Sequence, residues 1–188
     1  MSNKVLFIDT ETGGLNPQKN SLLSVGLVVW ENGVIKAKKE IFIRNENYVV
    51  SPYALKFNNM NLSEVYDLGL SGSKFESVLN EFLNSNFDTS KKVIIGGHNI
   101  NFDVSFLKKY FENENLDFSS IFSHRYIDTS SICKFAYHSS LVEYDISSSD
   151  KAFEYFDIKV TNRHSALGDA EATAKLYSSL INLVSNSR

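Results

Sequence analysis

The sequence has little of what a secreted or membrane protein needs. Its 188 residues include a single cysteine, Cys133, which cannot form an internal disulfide and fits a reducing compartment. No apolar run approaches the roughly 20 residues of a membrane-spanning helix. The first residues also lack the long apolar segment of a signal peptide. We therefore expect a cytoplasmic protein that does not associate with a membrane.

Positive charge is also scarce. The chain carries 19 Lys and Arg against 22 Asp and Glu, a net charge of −3. Proteins that hold duplex nucleic acid by neutralising phosphates are mostly basic, so tight nonspecific duplex binding is not expected. Other nucleic-acid partners stay open, because carboxylates that bind metal ions would leave the rest of the chain slightly positive.

The chain has only two prolines, no internal repeat and no long linker. Its length suits one globular domain over residues 1–188, with a core from about 4 to 184. The segment 139–150 is rich in Ser and Asp and is predicted to be a mobile loop.

Strand signals come first along the chain and helix signals follow. Val5–Ile8, Leu22–Trp30 and Val34–Ile43 are predicted strands, and Asn32-Gly33 predicts a hairpin between the last two. Later segments alternate: helices are predicted at 51–55, 73–83, 104–111, 130–137 and 166–184, and short strands at 93–95 and 126–127. This order predicts an α/β fold with a mixed sheet flanked by helices.

Two carboxylates, Asp9 and Glu11, follow the first apolar strand. Side chains two apart on a strand share one face, so both can point to one ligand. A solvated strand end followed by a turn is the alternative interpretation. Buried unpaired carboxylates are costly, so their placement needs a compensating partner.

Two further segments place acidic residues at the edges of predicted elements. Asp103 lies where a short strand meets a helix, a position that an ordinary helix cap would also explain. Asp169 opens the last helix, and His164 is predicted on the loop before it, because a five-residue step turns a helix by about 140°. Gly168 costs about 1 kcal/mol relative to alanine in a helix, which suggests close approach of another group.

The coincidence of these acidic positions favours a shared site over separate incidental roles. Oxygen ligands without a Cys/His cluster favour Mg²⁺ or Mn²⁺ over zinc. A pair of such ions about 4 Å apart is a known device for phosphodiester cleavage. A histidine can take a proton from water near neutral pH, and His164 is the candidate.

Three motifs then give a family resemblance. FIDTETGGLNP, HNINFDVSFL and HSALGDAEATAKLY resemble, in order and spacing, the motifs of the DEDDh 3′→5′ exonucleases, which include the polymerase proofreading subunit, RNase T and oligoribonuclease. The resemblance implies an RNase H-like fold, a five-stranded mixed sheet with its first three strands antiparallel. It also implies two divalent cations, Mg²⁺ or Mn²⁺, held by Asp9, Glu11, Asp103 and Asp169, with His164 as general base.

The resemblance further implies the substrate and its contacts. The expected reaction removes nucleoside 5′-monophosphates from free 3′-hydroxyl ends of single-stranded or frayed nucleic acid. The implied substrate-binding positions are Thr12, Gly13, Leu15, Asn58 and Asn99. Asn59 and Met60 replace the Gly and Ile that usually follow the position of Asn58.

The substrate and partners leave alternatives open. DNA is favoured over RNA, because Thr12-Gly13-Gly14 departs from the Met-Thr-Gly usual in oligoribonuclease. An RNA-directed enzyme of the RNase T or oligoribonuclease type is the alternative. A binding module without activity is disfavoured by the intact acidic positions, and a phosphatase by the absence of D-x-D. A DNA polymerase is one candidate partner, and the oligomeric state is open.

Overall fold

The computed structural model of the chain describes residues 3–58 and 60–186. Asn59, which departs from the family pattern, lies outside these residues. The described residues form one five-stranded sheet in the order β3-β2-β1-β4-β5. Its strands are β1 Lys4–Thr12, β2 Leu22–Glu31, β3 Val34–Phe42, β4 Ile95–Gly97 and β5 Ile127–Asp128.

Helices pack on the sheet. They lie between β3 and β4, between β4 and β5, and after β5. They are α1 Pro52–Asn58, α2 Leu62–Leu68, α3 Gly72–Asn86, α4 Asn101–Asn113, α5 Phe118–Ile121, α6 Thr129–His138, α7 Ser149–Tyr155 and α8 Ala166–Asn186. Within the described residues, none of these helices is both long and apolar enough to cross a membrane.

The predicted mixed sheet is confirmed. β1 pairs with β2 and β2 with β3 in antiparallel register, whereas β1–β4 and β4–β5 are parallel. Asn32 and Gly33 both have positive φ, at 51° and 88°, as a two-residue hairpin turn requires. The first three strands are therefore antiparallel, and β1 lies at the centre of the sheet.

The two faces of the sheet bury different clusters. On one face Phe7 and Trp30 pack against Tyr177 of α8, with ring centroids 5.3 and 5.0 Å apart. A larger cluster on α3 and α4 includes Phe75, Phe106 and Phe111, all buried. Because α8 packs on both β1 and β2, its first turn comes close to the carboxyl end of β1.

The structure corrects several strand boundaries. β1 was predicted to end at Ile8 but continues to Thr12, so Asp9 and Glu11 lie within the strand and do not follow it. β4 begins at Ile95 and includes Gly96 and Gly97, which were predicted to end the strand. A side chain at Gly96 would clash with the ring of Phe7, so glycine here allows the two strands to pair closely. β5 is shifted by one residue, to Ile127–Asp128.

Three short helices were not predicted: α2, α5 and α7. They have four to seven residues, too few for a helical period to stand out in the sequence. α7 begins inside the predicted loop 139–150, and that loop also buries Val142 and Ile146 against α6 and α8. The mobility of the loop stays a prediction.

Candidate active site

Asp9 and Glu11 lie near the carboxyl end of β1 and project from the same face of the strand. In the antiparallel pairing of β1 with β2, Asp9 is opposite Gly26 and Glu11 is opposite Ser24. A register shift follows between Glu11 and Thr12, where the strand leaves the regular ladder. Glu11 is only 7% exposed, so its carboxylate is held in the protein rather than in solvent.

Asp103 joins this end of β1 from the first turn of α4. Its Oδ1 accepts hydrogen bonds from the backbone N–H of Thr10 at 2.9 Å and from the Thr10 hydroxyl at 2.7 Å. Asp103 is buried, and these two donors satisfy one of its oxygens. The role of Asp103 thus extends beyond its own helix, because it fixes α4 to β1.

Asp169 and His164 enter from the start of α8. Asp169 lies in the first helical turn, and His164 lies on the preceding turn with φ +65°, as predicted from their spacing. The backbone N–H of His164 donates to Asp169 Oδ2 at 3.3 Å. A side chain at Gly168 would meet the carbonyls of Thr161 and Asn162, which explains the glycine at this helical position.

These segments bring three predicted carboxylates together. Ligand oxygens of Asp9, Glu11 and Asp169 all lie within 4.8 Å of one another. Asp103 does not belong to this triplet but lines the same cavity of about 210 Å³, as does His164. The oxygen-only donor set fits a hard divalent cation.

The electrostatics of the cavity also fit a bound cation. Burial raises the pKa of Glu11 to about 8, and Asp169, Glu40 and Asp103 add to the shift. Burial raises the pKa of Asp103 to about 7, against the lowering effect of the Thr10 hydrogen bonds. Burial and then Asp103 raise the pKa of Asp9 well above its ordinary value. The raised pKa values mean that ionising these buried carboxyl groups costs free energy. A bound divalent cation would offset that cost by attracting the carboxylates.

The expected substrate positions fall in two places. Thr12, Leu15 and Asn58 line an apolar cavity of about 660 Å³ beside the acidic one. Asn58 Nδ2 donates to the carbonyl of Thr12 at 3.0 Å, so α1 is attached to the end of β1. Asn99 lines the acidic cavity instead, and Gly13 is not among the residues that line either cavity.

The Gly13 backbone instead ties neighbouring loops together. Its N–H donates to the Ser21 carbonyl at 2.7 Å, and its carbonyl accepts from the Ser51 N–H at 2.7 Å. A side chain here would clash with the Val49 carbonyl and with Val50. The glycine thus shapes the wall behind the apolar cavity.

Sequence reasoning missed two aromatic residues of the apolar cavity. Tyr53 on α1 is 75% exposed and faces the same space as Phe102, which follows the start of α4. The only local signal for Tyr53 is its place after Pro52, which predicts a helix start and says nothing about a pocket.

Two residues of the acidic cavity, Arg163 and His98, were missed as well. Arg163 Nη1 forms an ion pair with Asp169 Oδ1 at 2.5 Å. His98 lies 2.9 Å from both the Thr129 hydroxyl and the Ser147 carbonyl, and so links β4 to the segment before α7. His98 opens the second motif and Arg163 directly precedes the third, and these positions were the available signal.

Comparison with known proteins identifies a family. The family model RNase_T, described as Exonuclease, matches residues 6–177. A PolC-type DNA polymerase III of Caldanaerobacter subterraneus is 29% identical over 94% of this chain. Ribonuclease T of Histophilus somni is 26% identical, over 94% of this chain and 83% of that protein.

Solved structures share the fold. Exonuclease I of E. coli, in complex with a dT13 oligonucleotide, superposes with a TM-score of 0.82 at 15% identity over 98% of this chain. Exonuclease X in complex with 5′ overhanging duplex DNA superposes with a TM-score of 0.66 at 19% identity. The chain spans 11% of the PolC-type polymerase and 42% of the Exonuclease I chain. Those larger proteins contain much that this chain does not align with.

Proposed function

This chain belongs to the RNase T family of exonucleases, and on that premise we propose that it is a metal-dependent 3′→5′ exonuclease. It would act on single-stranded or frayed DNA ends and release nucleoside 5′-monophosphates. The observation that supports this most strongly is the convergence of Asp9, Glu11 and Asp169 in a cavity that Asp103 and His164 also line.

The acidic residues are proposed to hold two divalent cations, Mg²⁺ or Mn²⁺. Asp9, Glu11 and Asp169 supply the compact oxygen cluster, and Asp103 supplies a buried carboxylate next to it. When bound, such ions hold a water nucleophile and stabilise charge on the phosphate. The raised pKa values of Glu11 and Asp103 mean that ion binding would also displace protons from this site.

His164 is proposed to accept the proton of the attacking water. His164 lines the acidic cavity, and its backbone N–H donates to Asp169 Oδ2. A side chain on this turn can reach the reacting water without competing for a place among the carboxylates. In the proposed mechanism, metal binding and proton transfer therefore belong to different residues.

The apolar cavity is proposed to receive the terminal nucleotide. Leu15, which is 84% exposed, and Tyr53 offer apolar and aromatic surface to a base, while Thr12 and Asn58 lie at its inner edge. Gly13 would shape that edge through its backbone, and Asn99 would meet the substrate on the acidic side. Cleavage requires the 3′ end to extend from the apolar cavity to the carboxylates, and Glu11 lines both.

DNA is the proposed substrate, and RNA is the alternative. Exonuclease I is a structural neighbour in complex with a dT13 oligonucleotide, whereas the name of the ribonuclease T relative supports RNA. The 2′-hydroxyl distinguishes the two substrates. A polymerase partner is proposed only by analogy with the PolC-type relative.

The test uses end-labelled DNA and RNA oligonucleotides with free and blocked 3′ ends, each with Mg²⁺, with Mn²⁺ or with a chelator. We expect stepwise shortening of free 3′ ends, faster for DNA, and no cleavage with the chelator. Equal cleavage of blocked and free ends would refute exonuclease action. Faster cleavage of RNA than of DNA would support the alternative, an RNA-directed exonuclease.

A further inference from the structure

Arg163 connects the acidic cavity to α7 through two ion pairs. Its Nη1 contacts Asp169 Oδ1 at 2.5 Å, and its Nη2 contacts Asp150 Oδ1 at 2.5 Å. Nη2 also donates to the Ser149 hydroxyl at 3.1 Å. Its guanidinium lies 5.4 Å from the ring centroid of Phe153. One cation is therefore shared between a cavity carboxylate and a helix outside the cavity.

The two carboxylate partners of Arg163 differ in their surroundings. The Asp169 side chain is only 11% exposed and its oxygens lie in the carboxylate cluster, whereas Asp150 is 82% exposed at the start of α7. Coulombic attraction is stronger where solvent is excluded, so the Asp169 contact is the more consequential of the two.

The Asp169 oxygen that Arg163 contacts belongs to the carboxylate that completes the triplet with Asp9 and Glu11. A divalent cation and the Arg163 guanidinium would both bind this carboxylate. Because both are positively charged, they repel each other. Arg163 makes its contacts with Asp150, Ser149 and Phe153 at the same time as its contact with Asp169, so they would still hold the guanidinium on α7 when a cation takes the Asp169 carboxylate.

We propose that Arg163 is a positioning residue that competes with the divalent cation for Asp169, and that Asp150 limits this competition by holding the guanidinium on α7. The inference rests on the proposed function, because it assumes that Asp169 is a metal ligand. It assigns to Arg163 and Asp150 the control of metal affinity.

The competition predicts opposite effects for the two variants. Arg163→Gln removes the competitor, so Mn²⁺ binding to the metal-free protein should tighten by about threefold or more, as expected for loss of an ion pair of modest strength. Asp150→Asn frees the guanidinium for Asp169, so Mn²⁺ binding should weaken by a similar factor. Arg163→Lys keeps the charge and should stay near wild type.

The double variant separates competition from a general effect of charge. If Asp150 acts through Arg163, then Asp150→Asn has no effect on Mn²⁺ affinity in the Arg163→Gln background. Lys134→Gln, which removes a cation from an ion pair with Asp145 away from the cavity, serves as the charge control and should leave affinity unchanged.

The measurement is Mn²⁺ titration followed by electron paramagnetic resonance or calorimetry, without nucleic acid, together with the melting temperature of each variant. Weaker Mn²⁺ binding in Arg163→Gln would overturn the inference, since it would mean that Arg163 is a clamp that orders Asp169. If Arg163→Gln does not fold, Asp150→Asn decides, and unchanged or tighter binding in it would overturn the inference.

Failure of the inference is distinguishable from failure of the proposed function. A wild-type protein that binds Mn²⁺ and shortens DNA, combined with an unchanged affinity in Arg163→Gln, refutes the competition alone. A wild-type protein that binds no Mn²⁺ refutes the metal site and the competition together.

Discussion

The acidic cavity has two walls that are built in different ways. We call Asp9, Glu11 and Asp103 the sheet wall, because β1 or a direct hydrogen bond to β1 fixes them. We call His164 and Asp169 the turn wall, because they lie on the turn before α8 and on its first helical turn. Both walls face the same cavity.

The sheet wall is held by regular backbone structure. β1 is paired on both sides, with β2 over its whole length and with β4 near its middle. Its neighbours Leu6, Phe7 and Ile8 are fully buried, so the strand cannot shift without exposing the core. Asp9 and Glu11 are therefore placed by a strand that is paired on both sides and buried along its centre.

The turn wall is held by side chains and unusual backbone angles. Asn162 and His164 both have left-handed φ, at 57° and 65°. Such residues cost of order 1–3 kcal/mol and persist only where surrounding contacts impose them. Here the hydrogen bonds from the His164 N–H to Asp169 Oδ2 and from the Ser165 hydroxyl to the Asn162 carbonyl supply those contacts, together with the close packing at Gly168. We infer that the turn wall is the adjustable half of the cavity.

The largest expected effect comes from the sheet wall. Asp9→Asn should abolish turnover, because the central carboxylate of the proposed metal site is lost. Thermal stability of the metal-free protein should stay equal or rise, because burial and nearby carboxylates already raise the pKa of Asp9. Turnover and melting temperature are compared with Asp157→Asn, an exposed control. Wild-type turnover in Asp9→Asn would refute the role of Asp9.

The next effect tests the turn wall. His164→Gln should lower turnover by about 10²–10⁴-fold, the range typical of a lost general base. Mn²⁺ affinity should change little, since His164 is not a proposed ligand. Single-turnover kinetics and Mn²⁺ titration are compared with His124→Gln, an exposed histidine outside the cavity. Parallel loss of Mn²⁺ binding would instead make His164 a ligand.

A smaller effect is expected when the turn wall is displaced without removing a reacting group. Gly168→Ala places a methyl group against the carbonyls of Thr161 and Asn162, so the turn must move. A displacement on the order of 1 Å can cost up to about 10²-fold in rate. Gly72→Ala is the matched control, since its added methyl group meets only the flexible end of Glu114. Equal turnover in the two variants would mean that displacing the turn wall affects catalysis no more than a change in a distant helix.

The smallest effect is a dependence of stability on pH that originates in the sheet wall. The pKa values of Glu11, about 8, and Asp103, about 7, exceed their ordinary values of 4.5 and 3.8. The folded state therefore holds protons that the unfolded state has released, and the metal-free protein should lose stability as pH rises from about 5 to about 8. Bound Mg²⁺ should then raise the melting temperature more at pH 8 than at pH 5. Stabilisation independent of pH would contradict the assigned pKa shifts.

Most of the fold could be predicted from local patterns. Three consecutive strand patterns with one Asn-Gly hairpin, followed by alternating strands and helices, were sufficient for the mixed sheet. The short helices α2, α5 and α7 could not be predicted, because packing rather than periodicity stabilises them. The boundaries of β4 depended on how closely Gly96 approaches Phe7, which is a tertiary fact.

The five motif residues that the sequence singled out line one cavity in the structure, whereas several residues around them were missed. Asp9, Glu11, Asp103, His164 and Asp169 stand in motifs whose order and spacing are legible along the chain. Tyr53 and Arg163 have no such pattern. Tyr53 matters only because α1 is attached to the end of β1 through Asn58, and that contact joins residues 46 positions apart.

The sequence by itself determined which residues could carry the chemistry. Residue type and spacing showed which acids and which histidine lie at the ends of strands and helices. Only the tertiary structure decided that Asp9, Glu11 and Asp169 meet within 4.8 Å, while Asp103 is committed to Thr10 and Arg163 is paired with Asp169. Distances across elements depend on how helices pack on the sheet, and no local pattern encodes that packing. The pairing of Asp9 and Glu11 on one strand could thus be predicted from the chain, whereas the contacts that attach Asp103 and hold the turn wall could not.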